Sequence, residues 1–255
     1  MFQKTLVSRI LVGAALTLAA LCFATQARAE DADALLAKID QANNPFKDRR
    51  YQMKMEIREA DGSSRVLLTR VAERGFGSQR FVLYRAPADL KGMGVLVQNR
   101  NTLYIYMPSY SRVRRVAMHA RKQAFMGSDF TLDDSAQLLY APDYAPRLVS
   151  QEGGKVRLEL TPKPGKDLAY AKIVLTADAS TWLVDHLEYH DESGLAKTEA
   201  RGQVKVVGGK PMQTRVEMVD VRTKHSTLVH VSKVEVDLGL KKSLFTRRGL
   251  SRGKL

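Results

Sequence analysis

Cysteine is all but missing from this chain. Cys22 is the only one in 255 residues. It sits in an apolar run near the start, with Leu21 before it where a lipid-modified signal needs a small residue. Lys4 and Arg9 precede the run Ile10–Ala24, and Ala27-Arg28-Ala29 follows as a small-x-small cleavage site. This is an export signal, cleaved after Ala29, so residues 1–29 are expected to be removed and Glu30 to begin the mature chain. A membrane anchor is the alternative, but the run falls short of the ~20 apolar residues of a spanning helix. The exported chain then has no thiol. In an oxidising compartment it would hold no disulfide, cysteine nucleophile or thiolate metal site, and packing must supply its stability.

Catalytic signatures are equally scarce. No Ser-centred nucleophile elbow occurs, and Ser128 is followed by Asp129 as in a helix cap. The basic turn Lys163-Pro164-Gly165-Lys166 lacks the rest of a phosphate loop. Five histidines are present. His186 and His190 lie on one strand, where four residues rise about 13 Å, too far for one metal. His225 and His230 face opposite sides of a regular strand, and His119 has no partner at ligand spacing. The pair Asp133-Asp134 is accounted for by helix N-terminal charge. The expectation is no enzyme, no metal and no cofactor.

Acids are also few: 27 against 41 Lys and Arg, a formal net charge of +14. Loss of Lys4, Arg9 and Arg28 with the signal lowers this by three, to +11. Such a surface suits lipid headgroups or an acidic partner, or serves solubility, and export makes nucleic acid the least suitable partner.

What is plentiful is two-residue alternation. Tyr51, Met53, Met55 and Ile57 alternate with Gln52, Lys54, Glu56 and Arg58, and Asp61-Gly62 marks a hairpin. Similar runs recur at Phe81–Arg85, Gly92–Gln98, Thr102–Met107, Lys155–Leu160, Leu168–Leu175, Thr181–Tyr189, Lys197–Val207, Pro211–Arg222 and Ser226–Asp237. The spacing predicts about ten or eleven strands. The short turns between them favour antiparallel neighbours. A short helix is predicted over Asp31–Ala42, with Leu35, Leu36 and Ile39 on one face and Asn43-Asn44-Pro45 as its stop. There is no internal repeat or low-complexity linker. Residues 30–255 therefore read as one domain, mainly β with a few helices. Its long antiparallel sheet curves into a complete or partial barrel, and such a sheet can enclose an apolar cavity. Met53, Met55, Met93, Met107, Met118, Met126, Met212 and Met218 suit such an irregular interior. Trp182, the only tryptophan, alternates with Val184 and reads as core or cavity wall.

One segment breaks the rhythm. Leu103–Met107 carries Tyr104 and Tyr106 on one face, and Pro108 ends its ladder. Arg112, Arg114 and Arg115 follow, with Arg112 and Arg114 on the same side. The basic stretch through His119, Arg121 and Lys122 leads to Phe125-Met126-Gly127-Ser128-Asp129-Phe130. Gly127 permits a tight turn. Ser128 or Asp129 is positioned to cap a helix starting near Phe130, with Asp133 and Asp134 in its first turn. Phe125, Met126 and Phe130 supply an apolar side. This is the composition of a cavity lid, and equally of an ordinary β corner. The end of the chain, Leu238–Leu255, reads as irregular and basic, either in contact with anionic lipid or solvated.

The combination of Tyr106-Met107-Pro108, Arg112-Val113-Arg114-Arg115 and Phe125–Phe130 with its trailing acids resembles the LolA-like outer-membrane lipoprotein-sorting proteins. More narrowly, with the ending Leu244-Phe245-Thr246-Arg247-Arg248 before Leu250, it is similar to the subgroup found beside transporters of the resistance-nodulation-division type. This chain is longer than the best-studied carriers of the family. The resemblance implies an incomplete, half-open antiparallel β-barrel with helices on its concave apolar side. It implies a periplasmic carrier or binding protein for lipids or lipoproteins, a monomer working in transport to, or maintenance of, the outer membrane. The alternative is an adaptor that docks on an inner-membrane exporter of that transporter type without carrying lipid. The residues expected to meet acyl chains are Met53, Met55, Tyr104, Tyr106, Phe125, Met126, Phe130, Trp182 and Met218. Those expected to meet a headgroup or partner are Arg112, Arg114, Arg115 and Arg121.

Overall fold

The computed structural model describes residues 32–255. The signal segment 1–29 lies outside them. A helix, α1, spans residues 32–43. Six strands come next: β1 (Asp48–Arg58), β2 (Ser64–Arg74), β3 (Gln79–Ala86), β4 (Gly94–Asn99), β5 (Thr102–Met107) and β6 (Arg112–Arg115). A connecting segment contains the short helix α2 (Leu132–Ala136). Seven strands follow: β7 (Tyr144–Glu152), β8 (Lys155–Pro162), β9 (Lys172–Asp178), β10 (Val184–Asp191), β11 (Gly194–Val207), β12 (Lys210–Asp220) and β13 (Ser226–Val236). The chain ends in α3 (Arg247–Arg252).

All thirteen strands belong to one antiparallel sheet in the order β6-β5-β4-β3-β2-β1-β13-β12-β11-β10-β9-β8-β7. The sheet is not closed: β6 and β7 are its two edges. The first six strands walk outward from β1, and the last seven walk back until β13 pairs with β1 through registers such as Met53↔Val231 and Met55↔Val229. The segment between β6 and β7 must therefore travel from one edge to the other. The shortest way is across the concave face, which is why the alternation breaks there.

Three apolar clusters divide the interior. Leu35, Leu36 and Ile39 of α1 fill the concave side of β8–β10, against Leu158, Leu175 and Leu187. The concave side of β1–β5 and β13 carries Met55, Leu67, Val71, Val82, Val95 and Val229, and the crossing segment covers it with Leu132 and Ala136. The third cluster lies on the opposite, convex side. There Ala72, Phe81, Leu83 and Leu96 pack beneath Phe245 and Leu250. Strand β3 is thus buried on both faces, the pattern of a strand between two layers.

The tail corrects one expectation. It is neither irregular nor frayed. A turn of 3-10 helix at Lys242–Phe245 leads to α3, capped where Thr246 Oγ1 accepts from the Gly249 N–H at 3.0 Å. Gly94 makes room for it, since a Cβ there would stand 2.5 Å from Leu250 Cδ1. Leu250 is fully buried. Leu250→Ala is expected to cost about 2–5 kcal/mol, the usual range for truncating a packed leucine, read as a lower urea midpoint with unchanged slope.

Two strand boundaries also shift. The apolar stretch from Leu168 joins the sheet only at Lys172, and Thr181–Leu183 form the turn before β10. The turn is organised by Asp178, whose carboxylate accepts from the N–H groups of Ser180 and Thr181 at 3.0 and 2.9 Å.

Candidate functional site

The crossing segment is built from a tight turn and a capped helix. The Phe125 N–H donates to Phe130 O at 3.0 Å, and Ser128 Oγ donates to Phe125 O at 2.7 Å. Met126 and Gly127 both adopt positive φ, 56° and 77°. The helix cap is Thr131, not Ser128 or Asp129. Thr131 Oγ1 accepts from the Asp134 N–H at 3.0 Å, and Asp134 Oδ2 accepts from the Thr131 N–H at 2.7 Å, a reciprocal capping box. A spare carboxylate explains the difference: Asp129 is buried and used elsewhere. It accepts from Thr227 Oγ1 at 2.7 Å and pairs with His225 Nδ1 at 2.8 Å, tying the turn to β13.

Further along, the segment is held by charge. Asp133 takes a bidentate pair from Arg100, 2.7 and 2.6 Å, and a third contact from Arg121 Nη2 at 3.1 Å. Asp143 pairs with Arg100 at 3.3 Å and with Lys166 at 2.8 Å. From α1, Asp40 accepts from the N–H groups of Tyr140 and Ala141 at 2.8–2.9 Å. Burial pushes the Asp40 carboxyl up to about 6 despite those two donors.

Between this cover and the sheet lies a cavity of about 240 Å³. It is larger than the ~150 Å³ apolar cavity that takes up benzene. Its walls are Met53 and Met55 of β1, Val71 of β2, Val82 and Tyr84 of β3, Val95 of β4, Val216 of β12, and Val229 and Val231 of β13. Phe125, Phe130 and Leu132 close it from above. One end is different. There Arg49, Arg80 and Arg201 face the space, with Tyr51, Tyr189 and Glu199 beside them. Glu73 pairs with both Arg49 and Arg80, and accepts from Tyr51 Oη at 2.8 Å. Burial disfavours its charge, but the two guanidiniums hold its carboxyl well below the usual range. Glu199 pairs with Arg201 at 2.6 Å and accepts from Tyr189 Oη at 2.7 Å.

The cavity gathers some of the residues singled out in the sequence and leaves others outside. Met53, Met55, Phe125 and Phe130 line it. Tyr104 and Tyr106 do not: they stand on the convex face beside the tail, where Arg247 lies 5.6 Å from the Tyr104 ring. The alternation of β5 pairs Tyr104 with Arg115 and places Leu103 and Ile105 on the concave side instead. Met218 is buried in the α1 cluster, and Met126 packs on the neighbouring cluster without reaching the cavity. Trp182 sits at positive φ in the β9–β10 turn, under Lys38 at 5.2 Å, and is not part of the wall. Arg112, Arg114 and Arg115 occupy the exposed edge strand β6, where Arg114 registers with Ile105 and Arg112 with Met107. Arg121 is not available to a partner: its side chain is 1% exposed and committed to Asp133.

The arginines of the polar end were not singled out from sequence, although a signal exists. Arg49 is in phase with Tyr51, Met53, Met55 and Ile57, so the parity that names a buried face also puts a charge on it. The same holds for Arg80 with Val82 and Tyr84. Among the described residues no group of three or more His, Cys, Asp or Glu side chains is placed to hold a metal ion. No helix among them is long and apolar enough to cross a membrane.

The Asp129–His225 contact carries a pH dependence. Partial burial works against the imidazolium, but the hydrogen bond and charge of Asp129, with Glu59 beyond, raise its pKa above the ordinary 6.5. A raised histidine stabilises most below the unfolded value, and its contribution fades as pH rises through the folded value. Stability should therefore decline as pH rises from 6.5, and His225→Gln should flatten that part of a denaturation-versus-pH curve. A parallel slope in both proteins would rule the contact out as its source.

A family model described only as an uncharacterized protein matches residues 77–252. No curated protein matches the chain. Among solved structures, an outer membrane lipoprotein-sorting protein domain from Vibrio parahaemolyticus is similar at TM-score 0.80 and 22% identity, covering 88% of this chain and 100% of that one. A DUF1329 family protein from Desulfovibrio piger gives TM-score 0.80 and 22% identity, over 88% and 99% of the two chains. A LolA superfamily protein from Nitrosomonas europaea gives TM-score 0.73 and 22% identity, over 86% and 98%. The half-open sheet with a helical cover is their fold.

Proposed function

We propose that this chain, which belongs to the family matched over residues 77–252 and has the fold of the outer-membrane lipoprotein-sorting proteins, binds and carries the acyl chains of lipids or lipoproteins. The single observation that supports this most is the apolar cavity between the concave sheet and the Phe125–Leu132 cover. The function is that of a carrier, not a catalyst. Residues 1–29 would direct it to the periplasm, where it works as a monomer in transport to, or maintenance of, the outer membrane. Affinity would come from burial, at roughly 25 cal/mol per Å² of apolar surface.

The cavity suggests an order of events. Its volume suits one extended chain with the cover in place, so a multi-chain lipid anchor would need the 116–143 segment to lift. That segment is fixed to the sheet by polar contacts: the Asp129–Thr227 bond, the Asp133–Arg100 pair and the Arg80 Nη1 bond to Ser135 O at 3.0 Å. Leu132, Ala136 and Tyr140 of the same segment are buried in the core clusters, so lifting it must expose them as well as break those contacts. Protein purified without detergent and extracted with organic solvent should yield lipid by mass spectrometry. An empty extract together with no uptake of a fluorescent acyl probe would refute the reading. Trp182 fluorescence is not the reporter for this, since the indole is outside the wall.

A docking reading rests on β6. This four-residue edge strand exposes Arg112, Arg114 and Arg115 at an open sheet margin. It suits contact with an acidic surface, such as an inner-membrane exporter of the resistance-nodulation-division type that hands over cargo. A photoreactive residue at Arg114 should then crosslink to one membrane protein. Adducts with lipid alone would remove the docking role.

A further inference from the structure

The arginine end of the cavity has more positive charge than its acids balance, and unused donors to match. Arg49, Arg80 and Arg201 bring three guanidiniums to two carboxylates, Glu73 and Glu199. The other acids of the wall are engaged elsewhere: Asp40 with the N–H groups of Tyr140 and Ala141, and Asp134 with Thr131 and Tyr170. Arg80 spends its nitrogens on Glu73 and on Ser135 O. Arg49 and Arg201 each spend only Nε, on Glu73 and Glu199. Their terminal nitrogens have no protein partner among the described residues, and both side chains line the cavity. A guanidinium is a planar fork that matches a carboxylate or phosphate with two parallel bonds. The glutamates fix the forks by their Nε edge and leave the other edge unpaired on two side chains that line the ligand space.

We propose that this end of the cavity is a headgroup site, and that the ligand is an anionic amphiphile whose carboxylate or phosphate meets Arg49 and Arg201 while its chain runs along Met53, Met55 and Val216. The inference rests on the acyl-binding reading and makes it more specific. Chain burial supplies affinity, and the arginines choose among chains by the charge at their head. The apolar stretch and the charged end share one wall, because Arg49, Met53 and Met55 stand on the same face of β1.

Calorimetric titration with dodecanoate, dodecan-1-ol and acetate at one pH separates the terms. Dodecanoate is expected to bind about tenfold tighter than dodecan-1-ol, the size of one charge-assisted hydrogen bond, and acetate not to bind measurably at millimolar concentration. In Arg49→Gln, which leaves Glu73 paired with Arg80, the preference should fall to about twofold or less. The double variant Glu199→Gln/Arg201→Gln, which leaves no buried charge unpaired, should do the same while keeping the wild-type circular dichroism spectrum. Equal affinity of dodecanoate and dodecan-1-ol in the wild type overturns the headgroup site and leaves the acyl-binding reading standing. Failure of both to bind removes the acyl-binding reading itself. Acetate binding as tightly as dodecanoate shows a free-anion site and overturns the amphiphile.

Discussion

Asp133→Ala is expected to lower folding stability by about 3–5 kcal/mol. Asp133 is buried, and so is Arg121, with Arg100 nearly so. Taking a charge out of water is costly, and it is tolerated here because three side chains share the expense. Removing the carboxylate leaves two guanidiniums at one buried spot with only Asp143 nearby. The helix α2 loses its hold on the β4–β5 turn at the same time, since Arg100 lies in that turn. Chemical denaturation reads the loss directly. The double variant Asp133→Leu/Arg121→Met should recover much of it, because a buried ion pair replaced by apolar groups is often neutral. A loss under about 1 kcal/mol for the single variant would mean that water reaches these charges.

The second large effect concerns binding. Val216→Trp places the largest side chain on the cavity wall opposite Phe125 and Phe130, at a strand position registered with Val229 and Arg201. If the indole takes the room of only two methylenes, the acyl chain loses about 1.6 kcal/mol, more than tenfold in affinity. The fold should tolerate the change, because the added volume enters empty space and not a packed core. An unaltered thermal midpoint with at least tenfold weaker binding is the expected pair of results. Unaltered binding would place the ligand elsewhere.

The fold was legible to the extent that a sheet declares itself by parity. The alternation of Tyr51, Met53, Met55 and Ile57 located β1 and its buried face, and the spacing of Leu35, Leu36 and Ile39 located α1. The position of the cover was legible because Phe125–Phe130 breaks a period of two. Which face of a strand looks into a cavity was not legible where both faces are apolar. On β5, Tyr104 and Tyr106 compete with Leu103 and Ile105, and the choice is made by α3, which arrives from the far end of the chain and covers the convex side. Trp182 packs on the α1 cluster and not in the cavity wall for a local reason: its strand begins two residues later, after a turn set by Asp178. Arg121 looked like one of a row of surface arginines because nothing in its neighbourhood announces Asp133. Both residues belong to the crossing segment, and the Phe125–Phe130 turn between them, with Arg100 of the β4–β5 turn, brings them together.

An acyl chain is expected to lie between the concave sheet and the Phe125–Leu132 cover. A fatty acid with a diazirine at its chain end, photolysed on the protein and mapped by peptide mass spectrometry, tests it most directly. Labelling confined to the cavity wall, at Met53, Met55, Phe125, Phe130 or Val216, and abolished in Val216→Trp, is the expected result. Labelling of the convex face around Tyr104 and Leu250, or none above a soluble control protein, would contradict it.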